Sequence, residues 1–229
     1  MILPLGSIIN SLAVVLGSMI GIYFGSFVPA KIKKNIFQVI GLFTLVLGTK
    51  MSLQTNHFFI LLVCLVLGSI IGEILSIEER LEHMSSKLKT VFRSQNNQFS
   101  EGLITSFLLY CIGSMTFVGA LEEGINQDRT LLYTKSLMDG ITSILLASNL
   151  GVGVLASAIP LLIFQSILTI GAFYFGPYFS EEIITEMSAL GGIMIVSIGL
   201  NILKIEKITT SNLLPALLLI IPIHYLFIY

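Results

Sequence analysis

The chain has 229 residues, is 55% hydrophobic and only 11% charged, and has a mean hydropathy of +0.95. A soluble domain carries about 25% charged residues, so this composition specifies an all-α, polytopic integral membrane protein whose first partner is the lipid bilayer. A net charge of −1 gives no case for nucleic acid.

The opening run "MILPLGSIINSLAVVLGSMIGIYFG" has no Lys or Arg before its apolar stretch. A secretory signal carries a basic leader, so a retained first helix is expected. A spanning helix needs about 20 apolar residues. Eight candidates follow in order, near residues 5–27, 35–53, 57–77, 102–121, 131–151, 154–176, 184–203 and 211–229. "GVG" at 151–153 divides the fifth from the sixth and leaves room for a broken or re-entrant helix there. The loop at residues 78–100 places Leu81, Met84, Leu88 and Val91 at helical spacing opposite charged residues, as expected of a helix lying on the membrane surface.

Basic residues set orientation. Lys31, Lys33, Lys34, Arg80, Lys87, Lys89, Arg93, Lys204 and Lys207 fall in loops on one side, and only Lys50 and Arg129 on the other. Both termini are therefore expected outside, with residues 78–100 in the cytoplasm.

Residues 21–50 align with residues 172–201 at a constant offset of 151, so that Gly41 meets Gly192 and Gly48 meets Gly199. The first three spans thus resemble the last three. Related helices five positions apart must run in opposite directions, which makes the repeat inverted, an arrangement recurrent in secondary transporters. The expected organisation is one transmembrane domain over residues 1–229. Repeat one covers about 5–77, the cytoplasmic amphipathic segment about 78–100, the central helix pair about 102–151 and repeat two about 154–229. Gly17, Gly21 and Gly25, and again Gly68 and Gly72, are spaced for close helix packing. Such steps serve a homodimer contact or packing within one chain equally well.

The central pair carries the chemistry. In "YTKSLMDGITSILLASNLG" a Lys and an Asp stand four residues apart in an apolar segment, with Lys135, Ser136, Asp139 and Ser143 on one stripe. Leu132, Leu137, Ile141 and Ile144 are expected on the opposite, apolar face. Asp139 lies roughly 12 Å into its helix, within a core about 30 Å thick. A charge there costs roughly 2.5–3.5 kcal/mol, and an i,i+4 pair in the Lys-to-Asp order returns only a few tenths of that. The pair either fixes helix packing or lines an ion or substrate site. The preceding helix adds Ser114 and Thr116 and ends at Glu122 and Glu123, whose carboxylates are candidates for holding a cation or exchanging a proton. This helix and the one bearing Lys135 are expected to face each other.

No phosphate-binding loop, HExxH or GxSxG is present, and His57, His83 and His224 are scattered. No enzyme activity, cofactor or metal is expected. Cys64 and Cys111 lie in apolar runs and are expected as small core residues.

"GSMTFVGALEEG" followed by "LLYTKSLMDGITSILLASNLGVGV", with "LGSIINSLAVVLGSMIG" at the start, resembles the bacterial membrane family DUF554 over nearly the whole chain. The chain has Glu122-Glu123 where that family often has Gln-Asp. The resemblance implies a bacterial inner-membrane protein suspected of transport, and supplies no substrate. The sequence therefore leads to a secondary transporter or permease for an unknown small polar or charged solute or ion. The competing reading is a structural or signalling membrane module whose buried charges only fix packing.

Overall fold

A computed structural model describes residues 3–25, 27, 29–94, 96–112, 114–175 and 180–228; the side chains at 30, 33, 36, 37, 114, 175, 225 and 228 lie outside the described set. The described residues form helices and their connections, without a strand. In chain order these are α1 (Leu5–Gly25), α2 (Ala30–Ser52), α3 (Phe58–Ile74), α4 (Ile77–Val91), α5 (Phe99–Cys111), α6 (Ser114–Asn126), α7 (Thr130–Leu150), α8 (Val152–Ala156), α9 (Ala158–Phe175), α10 (Glu181–Ile202) and α11 (Leu214–Ile228).

Leu5–Gly25, Val152–Tyr174 and Glu181–Ile202 are long and apolar enough to cross a membrane. Two bent pairs, α3 with α4 at 56° and α5 with α6 at 59°, would raise the number to five. About eight spans were expected, with room for a break near residues 151–153. The largest departure is the fourth, where the helix expected over 102–121 is two helices. The apolar run hides this break, because hydropathy reads composition and not continuity. Thr116 donates its hydroxyl hydrogen to the Tyr110 carbonyl at 3.1 Å and so satisfies an acceptor at the end of α5. Gly151, at φ 71°, ends α7 in the left-handed region that favours glycine. The interruption for which "GVG" left room therefore lies between α7 and α8, and α7 is continuous.

The chain divides into two compact units, Met1–Phe37 with Met84–Cys111 and Met115–Tyr178, and Gln38–His83 with Ile112–Ser114 and Phe179–Tyr229. In the first unit α1 and α7 run parallel. Gly6 faces Leu132, Gly17 faces Gly140, Gly21 faces Ile144 and Gly25 faces Ser148. Glycine spacing thus brings two backbones together inside one chain, where lipid leaves no hydrophobic drive to do so. The faces are inverted relative to a soluble protein. Gly6, Ser7, Asn10, Ser11, Gly17 and Ser18 of α1 are buried, while Leu12 and Leu16 are exposed. On α7, Leu137 is 67% exposed and Asp139 7%. Polar inside and apolar outside is the arrangement for a solvent of hydrocarbon.

In the second unit α10 lies against α2 through Gly41, Gly48, Gly192 and Gly199, and α3 lies against α11 through Gly68 and Gly72, which meet Ala216 and Asn212. Ser180 caps α10, its hydroxyl accepting from the Ile183 amide at 3.3 Å, with Glu181 and Glu182 in the first turn. This cap moves the start of α10 ahead of the expected residue 184. Glu186 is fully buried and accepts from Thr55 Oγ1 at 2.5 Å and the Asn56 amide at 2.9 Å. Cys64 and Cys111 are free and buried.

Before α7, Asp128 accepts from the Thr130 amide at 2.9 Å. That bond holds its carboxyl below the ordinary value of 3.8. A depressed folded value means the bond stabilises the start of α7 above the ordinary value, and that this support is lost as pH falls through the depressed one. Asp128→Asn should therefore unfold at a lower temperature than wild type at neutral pH, and the two melting curves should converge below pH 3.8.

Candidate functional site

Helices α1, α7 and α9, closed by α5 and the end of α6, surround a column of buried polar side chains in the first unit. The column is built in steps because α1 and α9 run antiparallel and each helical turn advances about 5.4 Å.

At the solvent end stands Glu123, 0% exposed. Its Oε1 accepts from the Gly6 amide at 2.9 Å and from Arg129 Nε at 3.0 Å, and its Oε2 from the Thr169 hydroxyl at 3.4 Å. The Arg129 side chain remains 29% exposed, so this ion pair joins solvent to the interior.

One turn further along α1, Lys135 Nζ donates to Asp139 Oδ2 at 2.5 Å. Asn10 Nδ2 donates to the same oxygen at 2.9 Å and to Gln165 Oε1 at 3.1 Å. A carboxylate only accepts, so Asp139 dictates which way the Asn10 amide is turned, and Asn10 in turn dictates Gln165. Both amides are fully buried. Asn10 Oδ1 and Gln165 Nε2 are then left without a hydrogen-bond partner among the described residues.

Beyond this step, Ser143 donates to the Asp139 carbonyl at 2.7 Å, and its oxygen lies 2.8 Å from Tyr110 Oη. With the serine hydrogen so used, the tyrosine is the donor. Ser11 donates to the Ala158 carbonyl at 2.9 Å.

Of the residues singled out in the sequence, Lys135, Asp139, Ser143 and Glu123 lie along this column. Ser136 shares the buried stripe, but its hydroxyl donates back to the Leu132 carbonyl at 2.7 Å. Thr116 serves the α5 break. Glu122 accepts from Asn126 at 2.8 Å on its own helix and is not joined to Glu123 or Asp139. The Ser114 side chain lies outside the described residues. Leu132, expected on the outer apolar face, is buried. It falls three residues before Lys135 and so lies on the polar stripe, under Gly6. The chief neighbour of α7 is α1; α5 reaches α7 through Tyr110 and beside Gly102, and α6 beside Gly119.

Asn10, Gln165, Arg129 and Thr169 were not anticipated. A signal was available: Asn10 is the only carboxamide in α1 and Gln165 the only one in α9. Polar side chains in spanning segments are functional candidates whether charged or not.

A family model described as "Protein of unknown function (DUF554)" matches residues 5–225. The chain belongs to the DUF554 family. The uncharacterized membrane protein YdfK of Bacillus subtilis is 34% identical over 218 residues, covering 93% of both chains. The uncharacterized protein YqgA of Escherichia coli is 30% identical over 224 residues, covering 96% of this chain and 95% of its own. No solved structure matches. This DUF554 chain is thus a membrane protein, and its chemistry must be argued from the column.

Proposed function

We propose that the chain is a secondary transporter in the bacterial inner membrane. It moves a small solute past the Lys135–Asp139 pair, with Asp139 as the group that binds or releases a coupling proton or cation. The observation that carries this is the pair of buried, unpartnered amide atoms, Asn10 Oδ1 and Gln165 Nε2, beside a buried ion pair. A buried polar atom with no partner costs about 1–3 kcal/mol, and an intramembrane charge costs more. Packing alone is served better by leucines. The column bears that cost because it binds something.

An inverted repeat of three spans around a central pair, eight crossings in all, accords with this reading. Within the first unit α1 packs on α9, and within the second α2 packs on α10 and α3 on α11. Each of these is a helix on its own counterpart at the offset of 151. The basic residues put both termini outside. A cysteine replacing the exposed Lys87 should resist a membrane-impermeant thiol reagent in intact cells and react after permeabilisation; labelling from outside would reverse the topology.

The competing reading, a membrane module whose charges only fix packing, draws support from how completely Lys135 and Asp139 are covered. Uptake by proteoliposomes decides between them. Wild type should accelerate at least one solute of a mixed panel, and the folded Lys135→Met/Asp139→Leu variant none. If wild type accelerates none of the panel, the transport reading is wrong; if the variant equals a wild type that does, the pair takes no part in transport and only fixes packing. A homodimer is compatible with either reading.

A further inference from the structure

We infer that the solute is a small uncharged molecule carrying a hydrogen-bond donor and an acceptor side by side, the carboxamide being the matching group. This rests on the transport reading and names its substrate class.

The argument is one of charge and valence. Along the column each full charge already has its counter-charge. Arg129 stands against Glu123 at 3.0 Å and Lys135 against Asp139 at 2.5 Å. What remains uncommitted is neutral: one carbonyl-type acceptor, Asn10 Oδ1, and one amide donor, Gln165 Nε2, with the hydroxyls of Ser7 and Ser18 elsewhere on the buried face of α1. Neither amide can turn over to offer the other atom. Turning Asn10 would set its oxygen against Asp139 Oδ2, which it now meets through Nδ2 at 2.9 Å. Turning Gln165 would set its nitrogen against the same Nδ2, which now meets Oε1 at 3.1 Å. The two free amide atoms are therefore fixed in kind, and the bond between their carboxamides keeps them within reach of one small molecule.

An ion does not fit this pair. A bare cation would find one oxygen beside an NH2 group and a lysine, and its lost hydration would go unreturned. An anion would meet Gln165 Nε2 favourably but face Asn10 Oδ1, with Asp139 next to it. An amide-like solute accepts from Gln165 and donates to Asn10, completing both atoms without disturbing either ion pair.

The test uses the full chain reconstituted in proteoliposomes, with a protonophore present so that coupled charge movement does not limit flux. Uptake of radiolabelled urea, acetamide and glycerol is compared with that of sodium ion, tetramethylammonium and sulfate. Urea and acetamide should enter faster than into protein-free liposomes, glycerol less markedly, and the three ions at the protein-free rate. Gln165→Leu, which removes an unpartnered buried donor and should fold, should cut amide uptake roughly tenfold. Gln165→Glu, which keeps the shape and replaces the donor, should do the same. If only ions are accelerated, the substrate class is wrong and the transport reading stands. If nothing in the panel is accelerated, the transport reading falls and takes this inference with it. Amide uptake unchanged in both Gln165 variants would place binding elsewhere and overturn the inference alone.

Discussion

Asp139→Leu alone should destabilise the protein by about 3–5 kcal/mol, and Lys135→Met/Asp139→Leu should recover that loss while remaining inactive in uptake. The single change strands the Lys135 ammonium, 6% exposed, in a column otherwise built there of amides and hydroxyls. The double change removes both charges. Replacing a buried ion pair with apolar residues of similar volume is often neutral or stabilising by about 1–4 kcal/mol, and here the surroundings are less able to solvate ions than a soluble core. Asn10 keeps its bond to Gln165 in the double variant, so the α1–α9 contact survives. Unfolding can be followed with a thiol-reactive fluorophore, because Cys64 and Cys111 are free and buried and become reactive only on opening. The chain has no Trp, which makes this the more direct probe. A double variant that is both stable and active would assign the pair a purely structural role. A stable, inactive one separates the chemistry of Asp139 from its packing.

How far the sequence carried this site depends on what kind of signal each residue leaves. Lys135 and Asp139 were legible because a charge in an apolar run is expensive and therefore conspicuous in one dimension. The stripe through Ser136 and Ser143 followed from helical spacing, although Leu132 was set on the wrong face by a small error in angle. Glu123 was legible as a carboxylate but not separable from Glu122. Their difference is a matter of which face of α6 turns inward, and that is decided by Gly6 and Thr169, far away in the chain. Asn10 and Gln165 lie 155 residues apart and meet only once α1 and α9 are packed. Nothing local in the sequence marks them as partners. The break between α5 and α6 left no trace in hydropathy because both halves are apolar. The GxxxG steps announced close packing yet did not name the neighbour, which for α1 is α7 and for α3 is α11.

Gly17→Val is the other change expected to be severe, at about 3 kcal/mol or more, against Gly171→Ala, which should be neutral or stabilise by up to about 1 kcal/mol. A Cβ at Gly17 would overlap the carbonyl of Gly140 and lie 3.1 Å from Ser143 Cβ. The obstacle is backbone, which cannot rotate aside as a side chain can. In lipid there is no hydrophobic gain from the added methyls to set against the lost contact. Around Gly171, by contrast, nothing among the described residues lies within 4 Å of the added atom, and alanine is the better helix former. Gly17 also lies two turns along α1 from Asn10, so forcing α1 away from α7 should draw Asn10 off Asp139 and lower uptake as well as stability. Melting in detergent by the same thiol assay measures the first effect and reconstituted uptake the second. If Gly17→Val melts as wild type and instead changes only the oligomeric state by light scattering, the stripe of Gly17, Gly21 and Gly25 is a dimer face and α1 does not depend on α7 for its seat. Loss of stability with no change in mass would establish that these glycines hold the column together from within one chain.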